Sequence, residues 1–482
     1  MMKKFLILFT SLLLLLILFI LVRTFTFKSK QIDVAEQDFL EIPNSSIEHL
    51  QRAIQFKTIS FDDPKLIDSV AFLDFHNFLK TAYPLTFLKL SSEKVNDLSL
   101  LLHWKGKDHT KQPIILMAHQ DVVPIEVATL KKWHEEPFSG KIRGNYIYGR
   151  GAIDNKGSLI AILESVELLL AHGFTPASDI YFVFGHDEEV SGLRGAKAIA
   201  KLLKDRGIKP AMVLDEGGII TENKVPGLNK TAAVIGIAEK GYLTLDLRIN
   251  IPGGHSSMPE HKTAIDQIAE AIVKLKDKPF PANLGTVIHH FMDYVGPEMS
   301  FVNKMAMANR WLFKPLIEST YSKSPAGNAT IRTTTAFTIF NSGVKENLIP
   351  GEATATVNFR TPPETSKEDV INYVRKVINN DKIEIIARPN SAQPKQIADV
   401  GHPTFKHLQK TISAFKKDIV VAPYLMVGAS DSRYFTDLTT QVFRFIPFTD
   451  IEGLHGVNER IKAEEFKNGV SFYYYFMKSY KE

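Results

Sequence analysis

Three apolar stretches each run directly into acids or a histidine, and this recurrence constrains the fold more than any other feature of the chain. Ile180 to Phe184 is a β-branched and aromatic run that stops at Gly185 and delivers Asp187, Glu188 and Glu189 in succession. Pro113 to Ala118 leads to His119 and Asp121, and Ala211 to Leu214 leads to Asp215 and Glu216. Between them, Tyr146 to Ile153 precedes Asp154, just before a helix-like segment from Lys156 to His172. In open α/β sheets, functional groups gather at the carboxyl ends of parallel strands, so separate strand ends meet in one crevice. Carboxylates packed there repel unless cations neutralise them or one keeps its proton. The pattern predicts an α/β fold with a mostly parallel sheet and a metal site at one edge.

Composition narrows the donors. The sequence has no cysteine, which excludes disulfides and thiolate ligands and leaves His, Asp and Glu to hold any metal. Lys3, Lys4, Arg23, Lys28 and Lys30 precede the first acid and account for the whole formal excess of +5. The remainder is neutral, so nothing argues for nucleic acid as a partner.

A chain of 482 residues is too long for one ordinary core. Phe5 to Val22 carries no charge and is long enough to cross a bilayer as a helix, so residues 1–30 are expected to form a retained membrane anchor. A cleaved signal peptide is the alternative, but no small-residue cleavage site follows before Phe27. The short amino-terminal tail and large following body favour a catalytic part on the non-cytoplasmic side. Residues 31–46 are polar and read as a tether.

Strand and helix signals then alternate over 47–239, as in a sheet covered on both faces. At Lys240 the rhythm changes to a β, α, β, β, α, β series, with Gly241 to Ile251 as its first strand and Lys382 to Arg388 as its last. Residues 240–395 are expected to be an inserted α+β lid, and 396–482 the second part of a discontinuous catalytic domain. The apolar segment Met299 to Tyr321 reads as helices packed on the lid in preference to a membrane-facing surface. His186, His103, His109, His134 and His172 read as ordinary packing or surface histidines.

Taken in order, MAHQDVVP, GRGAIDNKG, FGHDEEVSG, LDEGG, PGGHSSMP, ENLIPGEATATVNFR, GASDSRYF and LHGVNE span nearly all of the chain after the tether. This series resembles the co-catalytic zinc aminoacylase and carboxypeptidase family, in the branch of carboxypeptidase S and the secreted N-fatty-acyl-amino-acid amidohydrolases. The resemblance implies a two-zinc peptidase domain with a lid that dimerises, a monomer being the alternative where an insertion covers the lid. It implies that His119 and Asp215 bind one zinc, Glu189 and His455 the other, and that Asp154 bridges them. Three protein ligands on each ion leave room for water, as a catalytic zinc requires.

Glu188 would be the general base toward metal-activated water and then the acid toward the leaving amine. Asp121 would orient His119. The resemblance assigns His255 to the oxyanion, and Asn347, Arg360, Gly428 and Arg433 to substrate. Arginine suits a free carboxylate, and the choice between Arg360 and Arg433 as the anchor stays open. The implied substrate is a peptide or an N-acyl amino acid with a free carboxylate. The competing class, a membrane-tethered binding or scaffold protein on a hydrolase fold, requires a lost base or ligand, and this sequence has lost neither.

Overall fold

The computed structural model describes residues 2–389, 391–392, 396–449 and 451–481. The expected edge of the insertion at 395, and the terminal residues 1 and 482, lie outside the described residues. Among them, nine strands make one central sheet. Its order is Ser91–Val95, Ser99–Trp104, Ile180–Gly185, Ile114–His119, Met212–Asp215, Val442–Arg444, Ala232–Glu239 and Val420–Met426, with Ile220–Thr221 beside Ala232–Glu239.

The middle of the sheet is parallel. Ile114–His119 runs parallel to both Ile180–Gly185 and Met212–Asp215, and the latter runs parallel to Val442–Arg444. Antiparallel pairs occur at the Ser91–Trp104 edge and where Val442–Arg444 meets Ala232–Glu239. Alternation explains why these strands are apolar throughout. Ile114, Leu116 and Ala118 enter one core, while Ile115 and Met117 enter the core on the opposite face. Helices Lys156–Ala171 and Ala463–Ser479 cover the first face and Ala196–Asp205 covers the second. Each fully buried Leu or Ile contributes about 1.5–3 kcal/mol, so both helical layers are firmly held.

The stretch that leads to Asp154 is strand only in part. Tyr146 to Ile153 contributes only Tyr146–Tyr148, which pairs with Arg460–Lys462 and Ile142–Arg143 in a separate small sheet. Gly151 then takes φ +87°, a conformation open to glycine, and the chain turns toward Asp154.

Residues 241–387 contain a unit with its own core. Its antiparallel sheet has the order Thr334–Ser342, Glu352–Thr361, Gly241–Asn250, Ile383–Ala387. Leu243, Leu245, Leu247 and Ile249 alternate toward helices Ala264–Asp277 and Lys367–Ile378. Both helices begin with capping boxes, Thr263 with Asp266 and Ser366 with Asp369, each cap contributing about 1 kcal/mol.

The segment expected to pack on the lid does otherwise. Met299 and Ile317 join the core of the central sheet, not that of the lid. Helices Phe301–Ala308 and Arg310–Ser322 also meet the carboxyl end of the apolar helix Met2–Thr26, where Arg23 donates to the carbonyl of Ala308 at 3.1 and 3.2 Å. That helix is long and apolar enough to cross a membrane. Of residues 31–46, expected as a tether, 31–44 lie along the body and Ser45 and Ser46 already open helix Ser45–Gln55. Gln37 N–H donates to the Ala414 carbonyl at 2.6 Å, Phe39 stacks on Phe415, and Ile42 is buried.

Candidate active site

His119 is the last residue of its strand and Asp215 the last of the adjacent parallel strand, while Glu188–Val190 form a short turn beyond Gly185. The register sets His119 opposite Gly185, which brings these ends to one edge of the sheet. Asp154 arrives from the turn before helix Lys156–Ala171, and His455 from the loop before Arg460–Lys462.

At that edge His119 Nε2 lies 2.8 Å from Asp154 Oδ1 and 3.5 Å from Glu216 Oε1. His455 Nε2 lies 3.0 Å from Asp154 Oδ2 and 3.1 Å from Glu189 Oε2. Asp154 therefore presents one oxygen to each histidine. Donor atoms in three overlapping groups, His119 with Asp154 and Glu216, Asp154 with Glu189 and His455, and His119 with Glu188 and Glu189, lie within 4.8 Å of one another.

Asp215 stands one step back from this arrangement. Its Oδ2 accepts the Ser432 N–H at 2.8 Å, and Glu216 occupies the place beside His119. Successive residues leaving a strand point in opposite directions, so only one of the pair faces His119 from this backbone. Asp121 does two things. Its carbonyl and carboxylate lie 2.9 and 3.3 Å from His119 Nδ1, and its carboxylate oxygens accept the N–H groups of Glu188 at 3.2 Å and Glu189 at 3.1 Å. One buried acid thus orients the imidazole and holds the turn that carries the acid pair.

The electrostatics are those of a cation site. Burial, together with the nearby Asp431, Glu216 and Glu189 carboxylates, pushes Glu188 well above the usual carboxylate range. Burial and the neighbouring Asp154 charge push Glu216 up to about 8. Hydrogen bonds to Asp154 and Glu189 raise His455 to about 10. Burial opposes the charge on His119, but Glu216, Asp121 and Asp154 outweigh it and raise the imidazole well above its ordinary value. Glu189 Oε1 is buried with no hydrogen-bond partner among the described residues. Nitrogen and carboxylate oxygen donors with a spare buried oxygen fit divalent cations such as zinc.

Of the residues expected to bind substrate, Arg433 on the 428–433 loop lies against the acid-bearing turn. Arg433 Nη2 donates to the Ser191 carbonyl at 2.9 Å, and a Cβ on Gly192 would meet Asp431 Oδ1 at 1.8 Å, so this close approach needs glycine. Arg360 stacks over Tyr242 with its guanidinium 4.7 Å from the ring centre; burial, and after it the charge of Arg433, lowers its pKa. Gly428 lies partly exposed at the start of the same loop. His255 and Asn347 lie on neighbouring segments, and among the described residues neither makes a hydrogen bond or ion pair with this cluster. They are exposed on a paired turn where Ser256 N–H donates to the Asn347 carbonyl at 3.2 Å and His255 Nδ1 lies 2.8 Å from Ser257 Oγ.

Several supporting residues were passed over by the sequence reading. Glu459, fully buried, accepts Arg150 Nη1 at 2.7 Å and the N–H groups of Gly151, Ile153 and Asp154 at 3.1, 2.9 and 3.1 Å, fixing the turn that presents Asp154. Removing one partner of a buried pair of this kind costs about 3–5 kcal/mol. Asn155 donates to Glu216, and Arg444 Nε donates at 2.5 Å to Glu239, whose Oε1 also accepts Ser430 N–H. Glu459 and Arg150 lie inside LHGVNER and GRGAID, so position in a motif was the available signal. His186, by contrast, is buried with Nδ1 2.6 Å from Ser99 Oγ, a packing role as expected.

The matched family model is peptidase family M20/M25/M40, over residues 115–479. The chain is 41% identical over 478 residues to a probable carboxypeptidase S-like 2 of Dictyostelium discoideum, covering 96% of this chain and 92% of that protein. It is 38% identical over 435 residues to the N-fatty-acyl-amino acid synthase/hydrolase PM20D1 of Xenopus tropicalis, covering 89% and 84%. Among solved structures, an M20 family metallo-carboxypeptidase from Sulfolobus solfataricus aligns with TM-score 0.64 at 19% identity, covering 90% of this chain and 99% of that one. A Bacillus subtilis protein described as a dinuclear metal binding peptidase aligns with TM-score 0.58 at 12% identity, covering 91% and 100%. The chain belongs to peptidase family M20/M25/M40, a metal-dependent family of peptidases and amidohydrolases, and it carries that family's fold.

Proposed function

We propose that this chain hydrolyses the amide bond preceding a terminal amino acid with a free carboxylate, in a peptide or an N-acyl amino acid, with two zinc ions at the sheet edge. The observation that carries the reading is Asp154 shared between His119 and His455, with the Glu188 and Glu189 turn held beside it by Asp121. His119, Asp154 and Glu216 would hold one ion, with Asp215 behind them, and Asp154, Glu189 and His455 the other. Bound there, zinc supplies Lewis-acid polarisation of the amide carbonyl and an acidic water, with a pKa lowered from about 15.7 to about 7.

The chain's own residues do the rest. Glu188, whose burial favours a bound proton, accepts the proton of the attacking water and returns it to the leaving nitrogen as the C–N bond breaks. Arg433 and Arg360 are suited to the free carboxylate, and Arg433 stands nearer the acid-bearing turn. His255 is exposed, so it serves an oxyanion only when the lid closes or when a second copy brings its own lid. The lid dimerisation that the family resemblance implies favours the second copy. The apolar helix Met2–Thr26 is read as a retained anchor, with the body on the non-cytoplasmic side.

Names of relatives divide the substrate between carboxypeptidase and N-fatty-acyl-amino acid hydrolase, and the lipid-facing anchor favours the second. The test is release of free amino acid by the detergent-purified, zinc-loaded full chain from dipeptides and from N-acyl amino acids of graded acyl length. Release that rises with acyl length and vanishes in Glu188→Gln is expected. Equal release by Glu188→Gln overturns the base assignment, and no release from any substrate by a folded, loaded chain supports the scaffold reading.

A further inference from the structure

The arm formed by helices Phe301–Ala308 and Arg310–Ser322 has an apolar surface that its neighbours leave open. Phe301, Val302, Trp311, Leu312 and Leu316 are 49%, 68%, 53%, 41% and 59% exposed. Within Arg310–Ser322, residues 311, 312, 315 and 316 share one face at the helical period, and Ile317, on the other side, is buried in the core. The helix therefore has two apolar sides, one turned inward at Ile317 and one turned out at Trp311, Leu312 and Leu316.

That outward side continues the surface of the apolar amino-terminal helix. Trp311 packs on Phe19 with ring centres 6.1 Å apart, and Phe301 on Phe25 at 5.8 Å. Asn309 Nδ2 lies 3.2 Å from the Ile20 carbonyl and 3.3 Å from Thr24 Oγ1, and Arg23 bonds the Ala308 carbonyl, so the two elements are tied together by buried and part-buried polar contacts. Phe19 lies three residues before Val22, the end of the uncharged run. At about 1.5 Å per residue, the Trp311 contact falls roughly 4–5 Å inside the apolar span. This is the border of hydrocarbon and headgroups, where tryptophan concentrates in membrane proteins. Lys304, Arg310 and Lys314 lie on the same arm, as expected beside headgroups.

We infer that this arm is a membrane-docking element that lies in the interfacial layer of the bilayer crossed by the amino-terminal helix, giving the body a second lipid contact. The inference rests on the anchor reading. A single helix leaves the body free to swivel, whereas an anchor with a rigidly attached interfacial arm fixes which way the body faces.

Full-length chain in phosphatidylcholine vesicles tests it, with flotation reporting the anchor and tryptophan quenching reporting the arm. The probe is phosphatidylcholine brominated near the top of its acyl chains. Trp311 is more than half exposed, whereas Trp104 is buried in the central sheet and Trp133 lies on the catalytic body. The expected result is flotation with a quenching component that is lost in Trp311→Phe and restored when Val302→Trp is added to that variant. Flotation with quenching identical in wild type and Trp311→Phe, and no gain from Val302→Trp, overturns the docking while the anchor stands. This is the outcome if a second copy of the chain covers the face. Failure of the folded chain to float overturns both.

Discussion

The edge of the central sheet and the tip of the inserted lid carry similar residues under opposite constraints. His119, Asp154 and Asp215 are 2%, 8% and 4% exposed, and each has a named partner within the chain. His255 and Asn347 are exposed, and His255 bonds within its own turn. The sheet edge assembles from strand ends whose apolar bodies are buried on both faces, so its geometry is fixed by packing. The tip that carries His255 and Asn347 rests on a two-residue pairing and stays exposed. On the proposed reading, the self-contained half holds the metal and the base, and the open half offers the last contact.

Glu188→Gln should break the closed half most severely. Turnover is expected to fall by about 10²–10⁴-fold with zinc content unchanged, measured by amino acid release beside elemental analysis. A parallel loss of zinc would mean that Glu188 is a ligand and not the base.

His255→Ala should cost about 10²–10³-fold in kcat, the loss of one oxyanion donor. Mixing His255→Ala with Glu188→Gln chains sharpens the comparison, because a lid that serves the neighbouring site lets the two inactive copies restore turnover together. A mixture as inactive as its parts would assign His255 to its own chain.

Within the closed half, Asp121→Asn should weaken zinc binding by about 10–100-fold, read by chelator competition. Glu216→Gln should weaken it more than Asp215→Asn does. The reverse order would return the ligand role to Asp215.

The smallest effect concerns stability in the stripped protein. Glu216 rises from 4.5 to about 8 and His455 from 6.5 to about 10, so both hold more protons folded than unfolded. Their contribution is complete below the unfolded values and is lost as pH rises, through about 8 for Glu216 and about 10 for His455. The melting temperature of metal-free chain should therefore fall between about pH 5 and about pH 9, and zinc should close a gap that widens with pH. A gap that narrows with rising pH would contradict the cluster's electrostatics.

The sequence made the central sheet readable because both-face burial writes uninterrupted apolar runs that end in polar residues. Helix Lys367–Ile378 shows how a boundary is written locally, since Ser366 and Asp369 form a capping box at its start. Other features depend on the folded chain. Whether Asp215 or Glu216 faces His119 is set by the direction in which the chain leaves its strand, and both are acids in the right place. Glu459 acts on backbone N–H groups more than three hundred residues earlier, which no local pattern records. Residues 31–44 look like a linker because they are polar, yet their backbone groups find partners on the body.

The most direct test of the account is the number of zinc ions bound by the full chain and by two variants, measured by calorimetric titration after chelation. The account predicts two ions for the wild type, one for Glu189→Gln, and marked weakening of both sites in Asp154→Asn, because Asp154 presents one oxygen to each histidine. Two tightly bound ions in Asp154→Asn, or none in the wild type, would contradict it.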